Sequence, residues 1–262
     1  MECNKIRKRI LDLAYNTKSV GSHLGGSMSS VEILCSLYDF ANINPFNEER
    51  DRIILSKGHA ALALYSVLEN QGILQTADVD DFEHNDTLFF AHAKRDINKG
   101  IEFSGGSLSL GASFAVGVAL ACKSKGYKNR IYVILGDGEC DEGLVWEAVM
   151  SAAHYGLNNI TFIIDRNGLQ SDGLVSDVMK TSILSDKFKS FGCKVLDVDG
   201  HNYNELIKAY SITSEDKPMS IIAQTIKGKG VSFMEGQQQW HHNTLSEQQY
   251  KQALCEIGYG EI

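Results

Sequence analysis

The sequence predicts an α/β protein: a doubly wound, mostly parallel sheet with helices on both faces. Three observations predict it. From about residue 126 onward, short apolar strands alternate with helix-length stretches, the order that builds βαβ units and a sheet covered on both sides. The length of 262 residues suits one large α/β domain, 1–262, better than two small ones. With 43% hydrophobic and 22% charged residues, the composition is that of an ordinary globular protein.

Residues 4–15 read as a helix with Ile6, Ile10, Leu11 and Ala14 on one face. Lys5, Arg7, Lys8 and Arg9 give that helix a basic run that reads as a solvated face. A loop with paired glycines follows, Gly21-Ser22-His23-Leu24-Gly25-Gly26, and Ser29 with Glu32 has capping-box spacing for a helix reaching about Phe40. Residues 52–56 form a short apolar strand, Lys57-Gly58-His59 a tight turn, and an Ala/Leu-rich helix runs to Gly72. Residues 75–107 are irregular, polar and aromatic, which inside a compact domain points to a functional loop. A small-residue helix spans 109–125. Then come strand 131–135, helix 144–155, strand 160–165, helix 181–191, strand 194–198, helix 203–211 and strand 220–225. Thr244 and Glu247 offer a capping box for a C-terminal helical segment at about 244–262.

The bulk numbers exclude several classes. A net charge of −8 argues against nucleic-acid binding, which needs clustered basic surface. Six cysteines without CxxC or regular spacing argue against a disulfide framework or a zinc site and fit a reducing cytoplasm. With no run of 18 apolar residues and no signal-peptide core, neither a membrane span nor export is expected.

The chemistry is concentrated in 131–173, IYVILGDGECDEGLVWEAVMSAAHYGLNNITFIIDRNGLQSDG. Asp137 and Asn167 fall just beyond the ends of two strands of one βαβ unit, and in open α/β sheets ligands bind outside the carboxyl ends of strands. Gly136 and Gly138 let the backbone approach a bulky anion, while Asp137 and Asn167 supply hard oxygen donors of the kind magnesium takes beside substrate phosphates. A lone Gly-Asp-Gly is more often a plain strand-end turn; the matching Asn167 thirty residues on changes that balance.

Gly-Asp-Gly followed by Asn at this distance resembles the thiamine-diphosphate signature, and Glu142-Gly143-Leu144-Val145-Trp146-Glu147-Ala148 resembles the transketolase family in particular. The similarity runs from Ser22-His23 through Ser56-Lys57-Gly58-His59, residues 106–111 and Thr225-Ile226-Lys227-Gly228-Lys229-Gly230 to Trp240-His241. It implies a thiamine-diphosphate-binding fold, its diphosphate-binding domain, with thiamine diphosphate and magnesium (or calcium or manganese) as cofactors. Carried over by position, it makes Asp137, Asn167 and the Leu169 carbonyl metal ligands. It sets His59, Gly138, Lys227 and His241 near the diphosphate, and the backbone of Gly106, Ser107 and Leu108 near the ring system. His23, His92 and His241 would face the reacting sugar, a task for which imidazole is suited near neutral pH. Glu142 and Glu147 would lie toward a neighbouring chain and link cofactor sites, and Glu142 is counted among the catalytic residues. His84, His154, His201 and His242 have no motif support, although nothing in the sequence alone decides between His241 and His242.

The chain departs from the family at Leu24, at Ala91-His92-Ala93 and at residues 106–111, which touches sugar-facing geometry more than cofactor binding. A complete transketolase is over twice as long and carries a second domain for the aminopyrimidine ring. The expectation is therefore the N-terminal member of a split transketolase that transfers a two-carbon ketol unit from a ketose, free or phosphorylated, to an aldose. In an α2β2 heterotetramer it would pair with a separate C-terminal transketolase-like subunit. Two alternatives stand beside it: part of another thiamine-diphosphate enzyme (a 2-oxoacid dehydrogenase α chain or a deoxyxylulose-phosphate-synthase-like half), and a non-catalytic nucleotide-binding regulatory subunit.

Overall fold

A computed structural model describes residues 2–44, 46–180 and 183–260. The chain opens with α1 (Cys3–Asn16), α2 (Leu24–Ser29) and α3 (Val31–Phe40), enters β1 (Arg52–Leu55), and continues through α4 (Ala61–Asn70), α5 (Thr76–Asp80) and α6 (Leu110–Ser124). The alternating half follows: β2 (Ile131–Gly136), α7 (Gly143–His154), β3 (Ile160–Arg166), α8 (Val175–Val178), α9 (Leu184–Ser190), β4 (Lys194–Asp199), α10 (Tyr203–Ser211), β5 (Met219–Gln224) and α11 (Glu247–Glu256). The five strands form one sheet in the order β1-β2-β3-β5-β4, and every pairing is parallel.

Strands β1, β2, β3 and β5 are buried on both faces, as their apolar sequences require, while the edge strand β4 is half exposed. Ile131, Val133 and Leu135 of β2 point into a cluster with α6, α7 and α9, while Tyr132 and Ile134 point into the opposite cluster with α1, α3, α4 and α10. Burying one such Ile or Leu side chain is worth about 1.5–3 kcal/mol, so the two layers hold the strands in register and leave the loops at their carboxyl ends free to differ.

Three local readings are corrected. Ser29 does not cap α3: residues 24–29 are already helical, and Ser30 is the N-cap residue without a side-chain capping bond. Both hydroxyls turn instead to Asp165, with Ser29 Oγ at 2.7 Å and Ser30 Oγ at 3.1 Å, because a buried carboxylate is a stronger acceptor than the alternatives. The capping box of α11 is Ser246 with Gln249, two residues beyond Thr244 and Glu247. Arg7 is no solvated side chain: it is buried and paired with Glu32 at 2.6 Å. Of the helix expected at 181–191, residues 181 and 182 lie outside the described residues and the rest appears as α9; residues 261 and 262 of the C-terminal segment also lie outside them. The segment 75–107 is irregular apart from α5 and one 3₁₀ turn at Ile97–Lys99.

Candidate active site

The carboxyl ends of β1, β2, β3 and β5 deliver Lys57, Asp137, Asn167 and Lys227 to one cleft enclosing about 220 Å³. Asp137 leaves β2 and is buried; its Oδ2 accepts from Gly168 N at 2.6 Å and its Oδ1 from Gly138 N at 3.0 Å. Burial raises its carboxyl to about 6, and nearby Asp165 adds to the rise that the Gly168 and Gly138 amides restrain. One strand over, Asn167 Oδ1 accepts from Leu169 N at 3.1 Å, and Asn167 Nδ2 donates to Ser29 Oγ at 3.3 Å. The Leu169 carbonyl accepts from Lys227 Nζ at 3.3 Å. Among the described residues no group of three or more His, Cys, Asp or Glu is placed to hold a metal. A cation here would need the mixed oxygen set of one carboxylate, one amide and one carbonyl.

Beneath that set lies a sealed ion pair. Lys57 and Asp165 are 1% and 0% exposed and in direct contact; Asp165 also accepts from Ser29, Ser30 and Thr225, and Lys57 donates to the Gly26 carbonyl at 3.1 Å. Burial opposes the charge on Asp165, but Lys57 and the hydroxyls hold its carboxyl below the usual range. Lys227 has no such carboxylate contact among the described residues, and burial together with Lys57 lowers its ammonium to about 8.

The other wall is imidazole. The His23 ring lies 5.7 Å from His59, 5.2 Å from His92, 5.4 Å from His241 and 4.7 Å from His242. An antiparallel bridge between Ser22 and Asn243 brings the first and last of these loops together. Glycine makes the approach possible on α2: a Cβ at Gly26 would stand 3.1 Å from the His59 ring, and one at Gly25 would stand 2.8 Å from Lys227 Cγ. Burial, then the neighbouring imidazoles and Lys227, push His23 down to about 3; burial and Lys227 push His241 to about 4. Burial also holds His59 well below its ordinary value and lowers His92. All four are neutral near pH 7. Lys227 Nζ sits 3.1 Å from His241 Nδ1, which as the acceptor leaves the proton on Nε2. His23 Nδ1 is buried without a hydrogen-bond partner among the described residues.

The structure thus brings together His23, His59, His92, Asp137, Gly138, Asn167, Leu169, Lys227 and His241, with Gly106 and Leu108 at the edge. Ser107 is exposed beside them and does not line the cleft. Glu142 and Glu147 are exposed at the start of α7, outside the cleft lining. His241 lines the cleft, whereas His242 is exposed, does not line it, and meets the His23 ring edge-on at 4.7 Å. Sequence reasoning missed Lys57, Asp165, Glu139, Gln170 and His201. His201 accepts from Ile226 N at 2.8 Å and bonds Glu32 at 2.9 Å, which fastens the backbone next to Lys227. A visible signal existed for Asp165, a carboxylate ending an apolar strand; His201 had none.

The sequence profile described as "Transketolase, thiamine diphosphate binding domain" matches residues 2–261. The chain is 39% identical to the 6-deoxy-6-sulfo-D-fructose transketolase subunit of a Clostridium species, over 98% of this chain and 94% of that one. It is 36% identical to an apulose-4-phosphate transketolase subunit of Phocaeicola vulgatus, over 98% and 92%. Among solved structures, the transketolase of Campylobacter jejuni superposes with a TM-score of 0.91 at 30% identity, covering 98% of this chain and 42% of that protein. The chain therefore spans less than half of the solved transketolase and nearly all of the two subunits.

Proposed function

We propose, from the premise that this chain belongs to the transketolase family through its thiamine diphosphate binding domain, that it is the diphosphate-binding subunit of a two-subunit transketolase. The reaction is transfer of a two-carbon ketol unit from a ketose to an aldose. One observation carries the reading: the mixed oxygen set of Asp137, Asn167 and Leu169 faces the same cleft as four neutral histidines.

The residues fit the cofactor. Asp137 is a carboxylate that burial holds above its usual range, a desolvation cost that a bound divalent cation would offset. With the Asn167 oxygen and the Leu169 carbonyl it would hold magnesium, or calcium or manganese in the same hard-oxygen set. Gly138, His59, Lys227 and His241 would meet the diphosphate, and the backbone at 106–108 the ring system. When bound, thiamine diphosphate supplies the electron sink that the side chains do not. The chain's own work is to hold that group and to exchange protons with sugar hydroxyls. His23, whose Nδ1 has no hydrogen-bond partner among the described residues, would do so with His92 and His241, as neutral donors and acceptors.

The partner is a C-terminal transketolase-like protein, assembled with this chain as α2β2. Two relatives that this chain matches almost end to end are named as subunits, and Leu110, Met150, Leu174, Val178, Met179 and Ile183 are apolar side chains left exposed here. We place the complex in the cytoplasm, since none of the six cysteines is disulfide-bonded; no described helix is long and apolar enough to cross a membrane. The names of those relatives point to ketoses carrying a phosphate or sulfo group, so the donor panel should include both kinds.

The test is co-expression with such a partner, followed by transfer assays with thiamine diphosphate, magnesium and that panel. Turnover is expected from the complex and none from this chain alone. Robust transfer by the purified 262-residue chain would refute the two-subunit reading; a complex that neither binds the cofactor nor transfers would refute the activity.

A further inference from the structure

Glu139 lines the cleft, is 3% exposed, and does none of the work described so far. Its carboxylate joins three separate strands and loops. Oε1 accepts from Ser56 Oγ at 2.5 Å and from Ser109 N at 2.8 Å, and Oε2 accepts from Gly136 N at 3.0 Å. Ser56 follows β1, Gly136 ends β2, and Ser109 opens α6.

Two features show that the last of these is held under constraint. Ser109 has φ +71°, a left-handed backbone that residues with a Cβ rarely adopt. The chain is pressed onto the end of β1 on either side of Ser109: a Cβ at Gly105 would stand 2.6 Å from Gly58 Cα, and one at Gly111, in the first turn of α6, would stand 2.5 Å from Ser56 Oγ. The strained turn at Ser109 thus coincides with the hydrogen bond from its own amide to Glu139. An uncharged amide in place of the carboxylate would keep one acceptor and aim a donor at either Gly136 N or Ser109 N.

We propose that Glu139 is a positioning residue that locks the 105–109 loop into the conformation in which the Gly106 and Leu108 backbone receives the cofactor's ring system. It rests on the reading above for the identity of the ligand, but the locking itself belongs to this chain alone. Glu139 acts through Ser109 and touches no reacting atom.

Hydrogen–deuterium exchange on the full chain without cofactor tests the locking directly. In Glu139→Ala, exchange across 104–112 is expected to rise on the order of tenfold while β3 stays protected; Glu139→Gln should show the same change in smaller measure, and decides the matter if the alanine variant does not fold. In the assembled complex, calorimetry with thiamine diphosphate and magnesium should show a loss on the order of 10- to 100-fold for the Glu139 variants, the range seen when an outer support of a binding residue is removed. Adding Ser109→Gly should recover most of it, because glycine adopts the left-handed turn without help. Unchanged exchange at 104–112 in both Glu139 variants, or no recovery with Ser109→Gly, would overturn the proposal. A complex of the unaltered chain that binds no cofactor counts against the proposed function, and the exchange result then decides the locking by itself.

Discussion

The two sides of the cleft handle burial in opposite ways. On the floor, Asp165 keeps its charge although sealed from water, because Lys57 lies against it and three hydroxyls donate hydrogen bonds to its oxygens. On the wall, His23, His59 and His241 are pressed against one another and against Lys227, with no carboxylate paired to any of them among the described residues, and they give up their charge. Burial alone therefore does not decide protonation; the partner does. The floor is built to keep a fixed field, and the wall to keep neutral groups that both donate and accept.

Removing one floor charge should have the largest effect. Asp165→Ala leaves the Lys57 ammonium buried and unpaired, which typically costs about 3–5 kcal/mol, so chemical denaturation should show the chain destabilised by that order or unable to fold. Replacing both partners, as Lys57→Met with Asp165→Leu, should recover much of the stability; if it does not, the pair is not the element that matters. On the wall the cost should fall on turnover instead. His23→Gln in the assembled enzyme should lose ~10²–10⁴-fold in kcat/KM, with cofactor affinity and thermal stability nearly unchanged. A His23 variant as active as the parent with every ketose would remove the wall from the mechanism.

The same contrast has a pH signature. A histidine whose folded pKa lies below its unfolded value of about 6.5 binds fewer protons folded than unfolded at pH values between the two. Its contribution is therefore complete above pH 6.5 and is lost as the pH falls toward the folded value. His241 at about 4 and His23 at about 3 set the lower end of that window. The melting temperature should decline from pH 6.5 toward 4, and His23→Gln should flatten the decline. A slope that His23→Gln leaves untouched would assign the acid sensitivity to other groups.

How much of this was legible depended on whether a signal was local. The parallel sheet, the strand-end pair Asp137 and Asn167, and the loops bearing His23, His59 and His241 each sit in short stretches whose composition or order carries them. The floor does not: residues 29, 30, 57, 165 and 225 meet only because five elements converge on one point, and no window of sequence contains two of its charged members. Ser29 shows the consequence, since a correct local pattern for a helix cap lost to a buried carboxylate 136 positions away. At α11, two overlapping boxes competed, Thr244 with Glu247 and Ser246 with Gln249. Buried Leu245 immediately before Ser246 is the apolar residue that commonly precedes a cap, and the structure uses the second box.

The smallest effect on the chain itself is expected at Glu142, which lies on neither side of the cleft. It is exposed at the start of α7, and surface substitutions of this kind usually change stability by less than about 0.5 kcal/mol. Glu142→Gln should therefore leave the melting curve of the isolated chain where it was, and leave cofactor affinity unaltered. Its proposed role, toward a neighbouring chain, exists only after assembly. The informative measurement is paired: thermal unfolding of the isolated chain beside turnover and cofactor titration of the assembled complex. A drop in turnover, or a change in how successive cofactor sites fill, with an unmoved melting curve would place Glu142 in the communication between sites. An equal loss in both measurements would make it part of the fold, and no change in either would leave the work to the floor and the wall alone.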